Sequence, residues 1–241
     1  VIDGNGGITP TTQSFLLQSV NDLPERKAGN ISNLTLLEDS DPASLGLTGL
    51  VYSPGGGDDE ITQVPLTYAI TELPDPSLGQ ITLADGTPIQ LTDGSYQLSL
   101  EDLAGLRFVA AANANGSATF SFSVTDTDGG SLTESLSINI VAVNDLPTLT
   151  GQKAVLVDGL EDTTYTFTLT DLLSGYSDED GDTLSISALS ANGGELASNE
   201  DGSYTFRPYL NFNGVVSIAY NVIDGNGGIT PATQSFLLQS V

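Results

Sequence analysis

Apolar and polar residues alternate along several segments of this 241-residue chain. Four segments show the alternation most clearly, and their apolar members are Ala118, Phe120, Phe122 and Val124; Leu136, Ile138 and Ile140; Tyr165, Phe167 and Leu169; and Val216, Ile218, Tyr220 and Val222. Side chains two residues apart lie on the same face of a β-strand, so each segment is predicted to be a strand with one face in a core. Strands are expected about every 8–12 residues, which is typical of an antiparallel β-sandwich. The predicted fold class is therefore all-β, with tandem Ig-like antiparallel sandwiches joined end to end.

Short local signals predict the connections between strands. Ser99 and Asp102 have the spacing of a capping box, and the segment that starts at Thr170 is similar, so a short helical turn is expected at each place. Asp93-Gly94 and Asp201-Gly202 are predicted to be hairpin turns.

A near-identical repeat indicates how the chain is organised. Residues 1–20 and 222–241 differ only at Thr11 and Ala232, which gives a period of 221 residues (222 − 1). The sequence Val-Asn-Asp-Leu-Pro at 20–24 recurs at 143–147. The predicted domains are the C-terminal strand of a preceding repeat at 1–20, one sandwich at 21–143 and a second at 144–241. Duplication this close is usual in long arrays, so the chain is expected to be a segment of one.

The same repeat predicts partners. Neighbouring repeats of the same chain are expected to be the main partners. A strand without its own sheet seeks the edge of another, so residues 1–20 are expected to be a poorly anchored arm or to make an end-to-end or strand-swapped contact.

Composition excludes several classes of function. The chain has 31 acidic and 5 basic residues and a formal net charge of −26, which repels nucleic acid and anionic membranes. No segment has the roughly 18 apolar residues of a membrane span. The absence of His and Cys removes the commonest acid–base group, thiolate nucleophiles and zinc–sulfur sites. Paired carboxylates could hydrolyse glycosides, but there is no Trp to form a sugar platform. An enzyme is therefore not expected.

The acidic residues collect between the predicted strands, where their oxygens could bind a hard cation. The groups in the second sandwich are Asn144 and Asp145; Glu161 and Asp162; Asp178, Glu179, Asp180 and Asp182; and Asp224 with Asn226. The groups in the first are Asn21 and Asp22; Glu38 and Asp39 with Asp41; Asp58, Asp59 and Glu60; and Asp126 and Asp128. Ca²⁺ takes about 6–8 oxygen ligands, more than any one of these loops supplies, so a calcium site requires several loops to converge.

The order of strands A to G in a sandwich predicts which loops converge. The linker before strand A, the B–C loop and the F–G loop lie at one end, and the A–B loop lies at the other. Asp178 follows Asn144 by 34 residues (178 − 144), which fits the B–C loop, and Asp224 lies between the last two strands. One calcium cluster is therefore predicted to contain Asn144, Asp145, Asp178, Asp180, Asp182 and Asp224, with Glu38 and Asp39 added from the A–B loop of the preceding sandwich. The parallel cluster contains Asn21, Asp22, Asp58, Asp59, Glu60, Asp126 and Asp128, while Glu161 and Asp162 face the next linker.

The motifs of the second sandwich resemble the cadherin-like repeats of giant bacterial RTX-type adhesins. They are Val-Asn-Asp-x-Pro at 143–147, Glu-Asp-Thr at 161–163, Asp-x-Asp-Gly-Asp at 178–182, Asp-Gly-Ser-Tyr at 201–204, Asn-Phe-Asn-Gly at 211–214 and Asp-Gly-Asn-Gly-Gly at 224–228. The first sandwich departs from this pattern. It lacks Asp-x-Asp-Gly-Asp, has an unusual segment at 46–62, and is more similar to a proteoglycan-type cadherin-like repeat.

The resemblance implies a function and a location. In cadherins, linker and loop carboxylates clamp calcium between successive domains. By this resemblance the chain is a calcium-rigidified extender of a large secreted adhesin, on the surface of a bacterial cell, that projects a distal binding domain. Two other interpretations stay open. Acidic turns form without any ion, and the chain could be a sugar- or peptide-binding module that uses the 46–62 segment.

Overall fold

The computed structural model describes residues 4–6, 8, 10, 12–18, 20–57, 60 and 62–241. The chain divides into two compact units, Val1–Val141 (unit 1) and Ala142–Val241 (unit 2). Each unit is a β-sandwich, so the predicted all-β fold class is confirmed. Asp58 and Asp59 of the predicted calcium cluster lie outside the described residues.

Unit 1 is built from two main sheets around one core. Its described elements are β1 (Glu25–Ala28), β2 (Leu34–Leu37), β3 (Ala43–Ser44), β4 (Val51–Ser53), β5 (Thr67–Glu72), β6 (Gly79–Thr82), β7 (Tyr96–Leu98), α1 (Leu100–Gly105), β8 (Arg107–Ala110), β9 (Gly116–Thr125) and β10 (Ser131–Val141). One sheet has the order β2-β10-β9-β5-β7 and the other the order β3-β8-β6, while β1 pairs with β4.

The core of unit 1 lies between these sheets. Phe108 from β8, and Phe120 and Ile138 from β9 and β10, are fully buried in one apolar cluster. The alternate positions of β9 and β10 carry mostly Ser and Thr and are mostly exposed. The predicted alternation is therefore confirmed in both strands.

Unit 2 repeats the plan with fewer residues. Its elements are β11 (Thr148–Leu149), β12 (Gly159–Leu160), β13 (Tyr165–Thr168), α2 (Leu169–Leu173), β14 (Tyr176–Ser177), β15 (Ser185–Ala191), β16 (Gly194–Ser198), β17 (Ser203–Pro208), β18 (Gly214–Ile223) and β19 (Ile229–Gln239). The sheets have the orders β12-β19-β18-β15 and β13-β17-β16, and β11 pairs with β14. The pairs β2–β10 and β12–β19 are parallel, and the other pairs among the described strands are antiparallel as predicted.

The core of unit 2 contains the predicted apolar face of β18. Val216, Ile218, Tyr220 and Val222 are all buried. The predicted strand with the apolar face Tyr165, Phe167 and Leu169 is confirmed only in part. Phe167 is buried, and Tyr165 stacks on Phe236 at 3.9 Å between ring centroids. Leu169, however, is the first residue of α2 instead of part of the strand.

The two short helices begin at capping boxes. In α1, Ser99 accepts from the Asp102 backbone N–H and the Asp102 side chain caps Ser99 in return, as predicted. In α2, the same exchange joins Thr168 and Asp171. The predicted start at Thr170 was therefore wrong by two residues, because Thr168 is the residue whose hydroxyl reaches the third helical N–H.

The predicted hairpin turns are present. Asp93 and Gly94 both have left-handed backbones, with φ of 51° and 80°, as a type I′ turn requires. Asp201-Gly202 connects β16 to β17, and these strands pair in an antiparallel hairpin.

The long hairpin β18–β19 separates the two ends of unit 2. The strand β18 runs for 10 residues, which at about 3.3 Å per residue is roughly 30 Å. The linker, the 178–184 loop and the 224–228 turn lie at one end, called the proximal end. The loops at 161–164 and 209–213 lie at the other, called the distal end.

The described part of residues 1–20 differs from its repeat in unit 2. Apart from an isolated bridge at Ile8, none of its described residues lies in a strand. Phe15 and Leu17 are 82% and 81% exposed, while their counterparts Phe236 and Leu238 are buried. The end-to-end or strand-swapped contact stays a prediction. No helix in the described part of the chain is long and apolar enough to cross a bilayer.

Candidate metal centres

Hydrogen bonds join three separate segments at the proximal end of unit 2. Asn144 Nδ2 donates to Asp224 Oδ2 at 2.8 Å, so the linker contacts the turn between β18 and β19. The backbone N–H of Asp145 donates to Asp180 Oδ2 at 2.7 Å, so the linker also contacts the loop between β14 and β15. The structure thus brings together six predicted site residues, which we call the unit 2 cluster: Asn144, Asp145, Asp178, Asp180, Asp182 and Asp224.

Three carboxylates of this cluster lie on one loop. Oxygens of Asp178, Asp180 and Asp182 lie within 4.8 Å of one another. Asp178 Oδ1 accepts from the N–H groups of Asp180 and Asp182 at 3.1 and 3.3 Å, which curls the loop around it. Asp178 Oδ2 is buried and has no hydrogen-bond donor among the described residues. Like charges this close disfavour one another unless a cation offsets them.

Asp224 anchors the turn between β18 and β19. Only 5% of it is exposed, and its Oδ1 accepts from the N–H groups of Asn226, Gly227 and Gly228 at 2.7–3.0 Å. The amide of Asn144, followed by these N–H groups, holds the pKa of Asp224 below its ordinary value. A Cβ at Gly228 would overlap Asp224 Oδ2, so any side chain there would displace this carboxylate.

Asn226 belongs to the site although the predicted ligand set omits it. Its Nδ2 donates to Asp182 Oδ2 at 2.6 Å. The sequence groups Asn226 with Asp224, two residues before it, although the predicted set of converging ligands contains only Asp224. A pocket of about 280 Å³ opens here, lined by Ala142, Val143, Asn144, Asp180, Asp182 and Asn226.

The proximal end of unit 1 repeats the same two linker contacts. Asn21 Nδ2 donates to Asp126 Oδ2 at 3.4 Å, and the Asp22 N–H donates to Glu60 Oε1 at 2.7 Å. Asp126 is 5% exposed, and its Oδ1 accepts from the N–H groups of Asp128 and Gly130 at 2.9 and 2.8 Å. The described predicted ligands Asn21, Asp22, Glu60, Asp126 and Asp128 are therefore one cluster, called the unit 1 cluster.

Glu60 is the most deeply buried acid of the unit 1 cluster. Its side chain has no exposed surface, and Oε2 has no hydrogen-bond donor among the described residues. A Cβ at Gly56 would lie 2.7 Å from this oxygen, so glycine keeps the space beside it open. An unpaired buried carboxylate costs several kcal/mol.

Gln63 is a site residue that sequence reasoning missed. Its Nε2 donates to Asp128 Oδ2 at 2.9 Å, while Oε1 is buried without a hydrogen-bond donor among the described residues. Its backbone N–H donates to the Glu60 carbonyl, which places both side chains on one turn. A lone Gln in an irregular segment carries no sequence signal for this role.

The Glu-Asp pairs lie at the distal ends. Glu161 accepts from Val241 N–H at 3.0 Å and from Asn213 Nδ2 at 3.1 Å, and these donors, in that order, lower the pKa of Glu161. Asp162 Oδ1 accepts from Asn211 N–H at 2.8 Å. Within unit 2, neither residue can therefore join the proximal cluster.

Unit 1 places its Glu-Asp pair in the same way. Asp39 Oδ1 accepts from Asn113 N–H at 3.0 Å, and Glu38 N–H donates to the Val141 carbonyl at 3.0 Å. Asp39 and Asp162 both have left-handed backbones, with φ of 56° and 57°. The expected contribution of Glu38 and Asp39 to the calcium site of the next sandwich stays a prediction.

The unusual 46–62 segment is partly built into unit 1. Leu47 and Leu50 are 1% and 4% exposed in its core. Further along, a Cβ at Gly55 would overlap the Leu23 carbonyl, so this part packs closely on the linker. The described part of the segment therefore supports the core and the proximal cluster.

The ligand atoms that both clusters offer suit a hard cation. Every side-chain ligand candidate offers carboxylate or amide oxygen, which suits Ca²⁺ or Mg²⁺. Buried oxygens without donors, on Asp178, Glu60 and Gln63, are groups that such an ion would satisfy.

One family and several solved structures resemble the chain. Residues 143–239, which are nearly all of unit 2, match the sequence profile of the cadherin-like domain family. No curated protein matches the chain. Unit 2 is thus similar in sequence to cadherin-like domains.

The solved structures show limited similarity. Protocadherin gamma B7 extracellular cadherin domains 1–4 are 14% identical over 90% of this chain and 49% of that chain, with a TM-score of 0.43, so the chain spans about half of that protein's length. Human mucin-like protocadherin EC1-2 is 13% identical over 91% of this chain and 98% of that chain, with a TM-score of 0.44. An endo-fucoidan hydrolase, MfFcnA4 of glycoside hydrolase family 107, is 20% identical over 91% of this chain and 29% of that chain, with a TM-score of 0.31.

Proposed function

We propose that the chain is a calcium-rigidified extender segment of a large secreted bacterial adhesin, which projects a distal binding domain from the cell surface. Neighbouring repeats of the same chain are its proposed partners, with a further end-to-end or strand-swapped contact through residues 1–20. The bacterial origin and the extracellular location rest on the sequence resemblance of the motifs in the second sandwich.

The observation that carries this proposal is the geometry of the 178–182 loop. Three aspartates present oxygens within 4.8 Å of one another, and one buried oxygen of Asp178 has no donor among the described residues. Calcium supplies two positive charges to such a loop. The residues that would hold it are Asn144, Asp145, Asp178, Asp180, Asp182 and Asp224.

Calcium binding at this position would stiffen the chain. Asn144 and Asp145 belong to the linker, while Asp180 and Asp224 belong to the folded loops of unit 2. An ion shared by the linker and the loops removes the linker's freedom to rotate. Without the ion, the clustered carboxylates repel one another, and the net charge of −26 adds to this repulsion.

Calcium would also stabilise the fold, because it binds the native state, and it could replace the disulfides that a chain without Cys lacks. An ion that binds only the native state at about 100 times its dissociation constant adds about 2.7 kcal/mol. The test is thermal melting in calcium, in chelator, and in chelator with magnesium, all at matched ionic strength. Calcium should raise the melting temperature well above both other conditions. Equal melting in all three would contradict the proposal.

Matched variants locate the effect. Asp178→Asn with Asp180→Asn should lose most of the calcium-dependent rise in the melting of unit 2. Asp75→Asn with Asp85→Asn removes the same charge from exposed turns of unit 1 and should keep the whole rise. If both pairs behave alike, net charge and not a site explains the response.

The stiffening is tested separately by small-angle scattering. With calcium, the maximum dimension and the scattering profile should be those of a single extended particle. In chelator, the profile should broaden toward that of two bodies on a flexible linker. An unchanged profile would leave a calcium-stabilised fold but would refute the role as a stiff extender.

A further inference from the structure

The burial of Glu60 needs a compensating charge. The carboxylate has no exposed surface and accepts one hydrogen bond, from the Asp22 N–H to Oε1. The two salt bridges of the described residues are Arg26–Glu134 and Lys27–Glu25, and neither involves Glu60. A buried charge is tolerated when it is paired or coordinates a metal ion. A Cβ at Gly56 would lie 2.7 Å from Oε2, so glycine leaves room beside this oxygen.

Gln63 presents a second oxygen of the same kind from the same turn. It is 7% exposed, and its Oε1 has no donor among the described residues. The other half of the amide is fixed, because Nε2 donates to Asp128 Oδ2 at 2.9 Å. This hydrogen bond orients the amide plane, so Oε1 is held in one direction by the same contact that occupies Nε2.

Unit 2 contains this amide–carboxylate contact with its partners exchanged. There, the amide lies on the turn between β18 and β19, as Asn226, and donates to Asp182 of the loop before β15. In unit 1 the amide, Gln63, lies in the segment before β5, and the carboxylate, Asp128, lies in the turn between β9 and β10. In this contact, the loop before β15 of unit 2 therefore contributes an aspartate, Asp182, while the corresponding segment before β5 of unit 1 contributes a neutral amide, Gln63.

We infer that unit 1 has a calcium site in which Glu60 Oε2 and Gln63 Oε1 are direct ligands, Gln63 taking the role of an aspartate of unit 2. This inference rests on the proposed function, since it assumes that the proximal clusters bind calcium. Asp128 acts as a positioning residue for the Gln63 amide through Nε2. The neutral ligand lets the turn bury both side chains without adding a second buried charge beside Glu60.

The test is a calcium titration of the full chain followed by amide NMR. The N–H groups of Asp22 and Gly130 donate to carboxylates of the unit 1 cluster, and those of Asp145 and Gly228 donate to carboxylates of the unit 2 cluster. Their resonances therefore report the two sites separately. The variants are Gln63→Met, which removes the oxygen, and Gln63→Glu, which keeps an oxygen and removes the N–H donor. Gln97→Glu, on the exposed side of β7, controls for added charge.

The expected results differ between the variants. Gln63→Met should raise the calcium concentration at the midpoint for the unit 1 reporters by about tenfold or more, with the unit 2 reporters unchanged. Gln63→Glu should bind calcium in unit 1 at least as tightly as the wild type, although its carboxylate faces Asp128. Gln97→Glu should leave both midpoints unchanged.

Three results would contradict the inference or the proposed function on which it rests. An unchanged unit 1 midpoint in Gln63→Met would overturn the inference and leave calcium binding intact. Equal weakening in Gln63→Met and Gln63→Glu would also overturn it, because the contact with Asp128 would then be the whole role of Gln63. If no reporter of either unit responds to calcium in the wild type, the proposed function itself fails. Should Gln63→Met not fold in chelator, the comparison of Gln63→Glu with the wild type decides.

Discussion

The Asn144 side chain donates to Asp224 across 80 residues of sequence, at 2.8 Å, and so joins the linker to the turn between β18 and β19. Asn21 and Asp126 repeat the contact in unit 1 at 3.4 Å. In both units the asparagine precedes an aspartate whose own backbone N–H donates to a second carboxylate. The Asn-Asp pair thus holds two loops by two different groups, a side-chain amide and a backbone N–H.

Replacement of Asn144 should separate the two roles of this residue. Asn144→Ala removes the donor to Asp224 and a potential oxygen ligand, so unit 2 should melt lower in chelator and should bind calcium more weakly. Asn144→Asp restores an oxygen but places a negative charge against Asp224, so it should melt lower in chelator and recover in calcium. Calorimetry in both conditions measures this. An Asn144→Asp protein that stays destabilised in calcium would show that the donor matters more than the oxygen.

A side chain at Gly228 should displace Asp224. A Cβ there would overlap Asp224 Oδ2 and lie 3.1 Å from the Asp145 carbonyl oxygen. Gly228→Ala should therefore destabilise unit 2 by about 1–3 kcal/mol and weaken calcium binding, because the carboxylate must move. Gly4→Ala is the control, since a Cβ at Gly4 meets no atom within 4 Å. Denaturant unfolding of both variants measures the difference, and equal stabilities would refute the steric argument.

The strands could be predicted from the sequence because one face of each is buried. Positions such as Phe120 and Val222 alternate with polar residues, and burial of one face makes period-2 patterning visible. Leu169 shows where this fails. It continues the alternation of β13, but Thr168 and Asp171 form a capping box that starts a helix there. Local hydrogen bonds at a helix start outweigh the continuation of a pattern.

The site could be predicted only where acidic residues are dense. The group Asp178, Asp180 and Asp182 is visible in the sequence, and the strand order places it near Asn144. Gln63 is not visible, because its role depends on a turn with Glu60 and on a contact with Asp128, 65 residues away. Neutral amides in irregular segments are common, and only its burial in the fold distinguishes Gln63 from them.

Low pH should remove the stabilising contribution of Asp201 in the hairpin turn between β16 and β17. The Ser203 hydroxyl and N–H donate to Asp201 Oδ1 at 2.6 and 3.0 Å, and they hold its pKa below the ordinary value. Ionised Asp201 therefore stabilises the fold fully above its unfolded pKa of about 3.9, and this contribution is lost as the pH falls through the lower folded pKa. Ser203→Ala should raise the pKa of Asp201 toward its ordinary value in an NMR titration. Asp75, which Ser77 holds in the same way, is the internal control and should not change.

Replacement of Asp162 should decide whether the distal Glu-Asp pair is structural or binds metal. Asp162 Oδ1 accepts from the Asn211 N–H at 2.8 Å, and Asn211 has a left-handed φ of 58°, so the contact holds a constrained loop in place. Asp162→Ala should cost about 1 kcal/mol of unfolding free energy, whereas Asp162→Asn keeps an acceptor and should lose less. If the residue only holds the loop, each loss should be the same in calcium and in chelator. A loss for Asp162→Asn that appears only in calcium would instead make the carboxylate charge a part of a calcium site at the distal end.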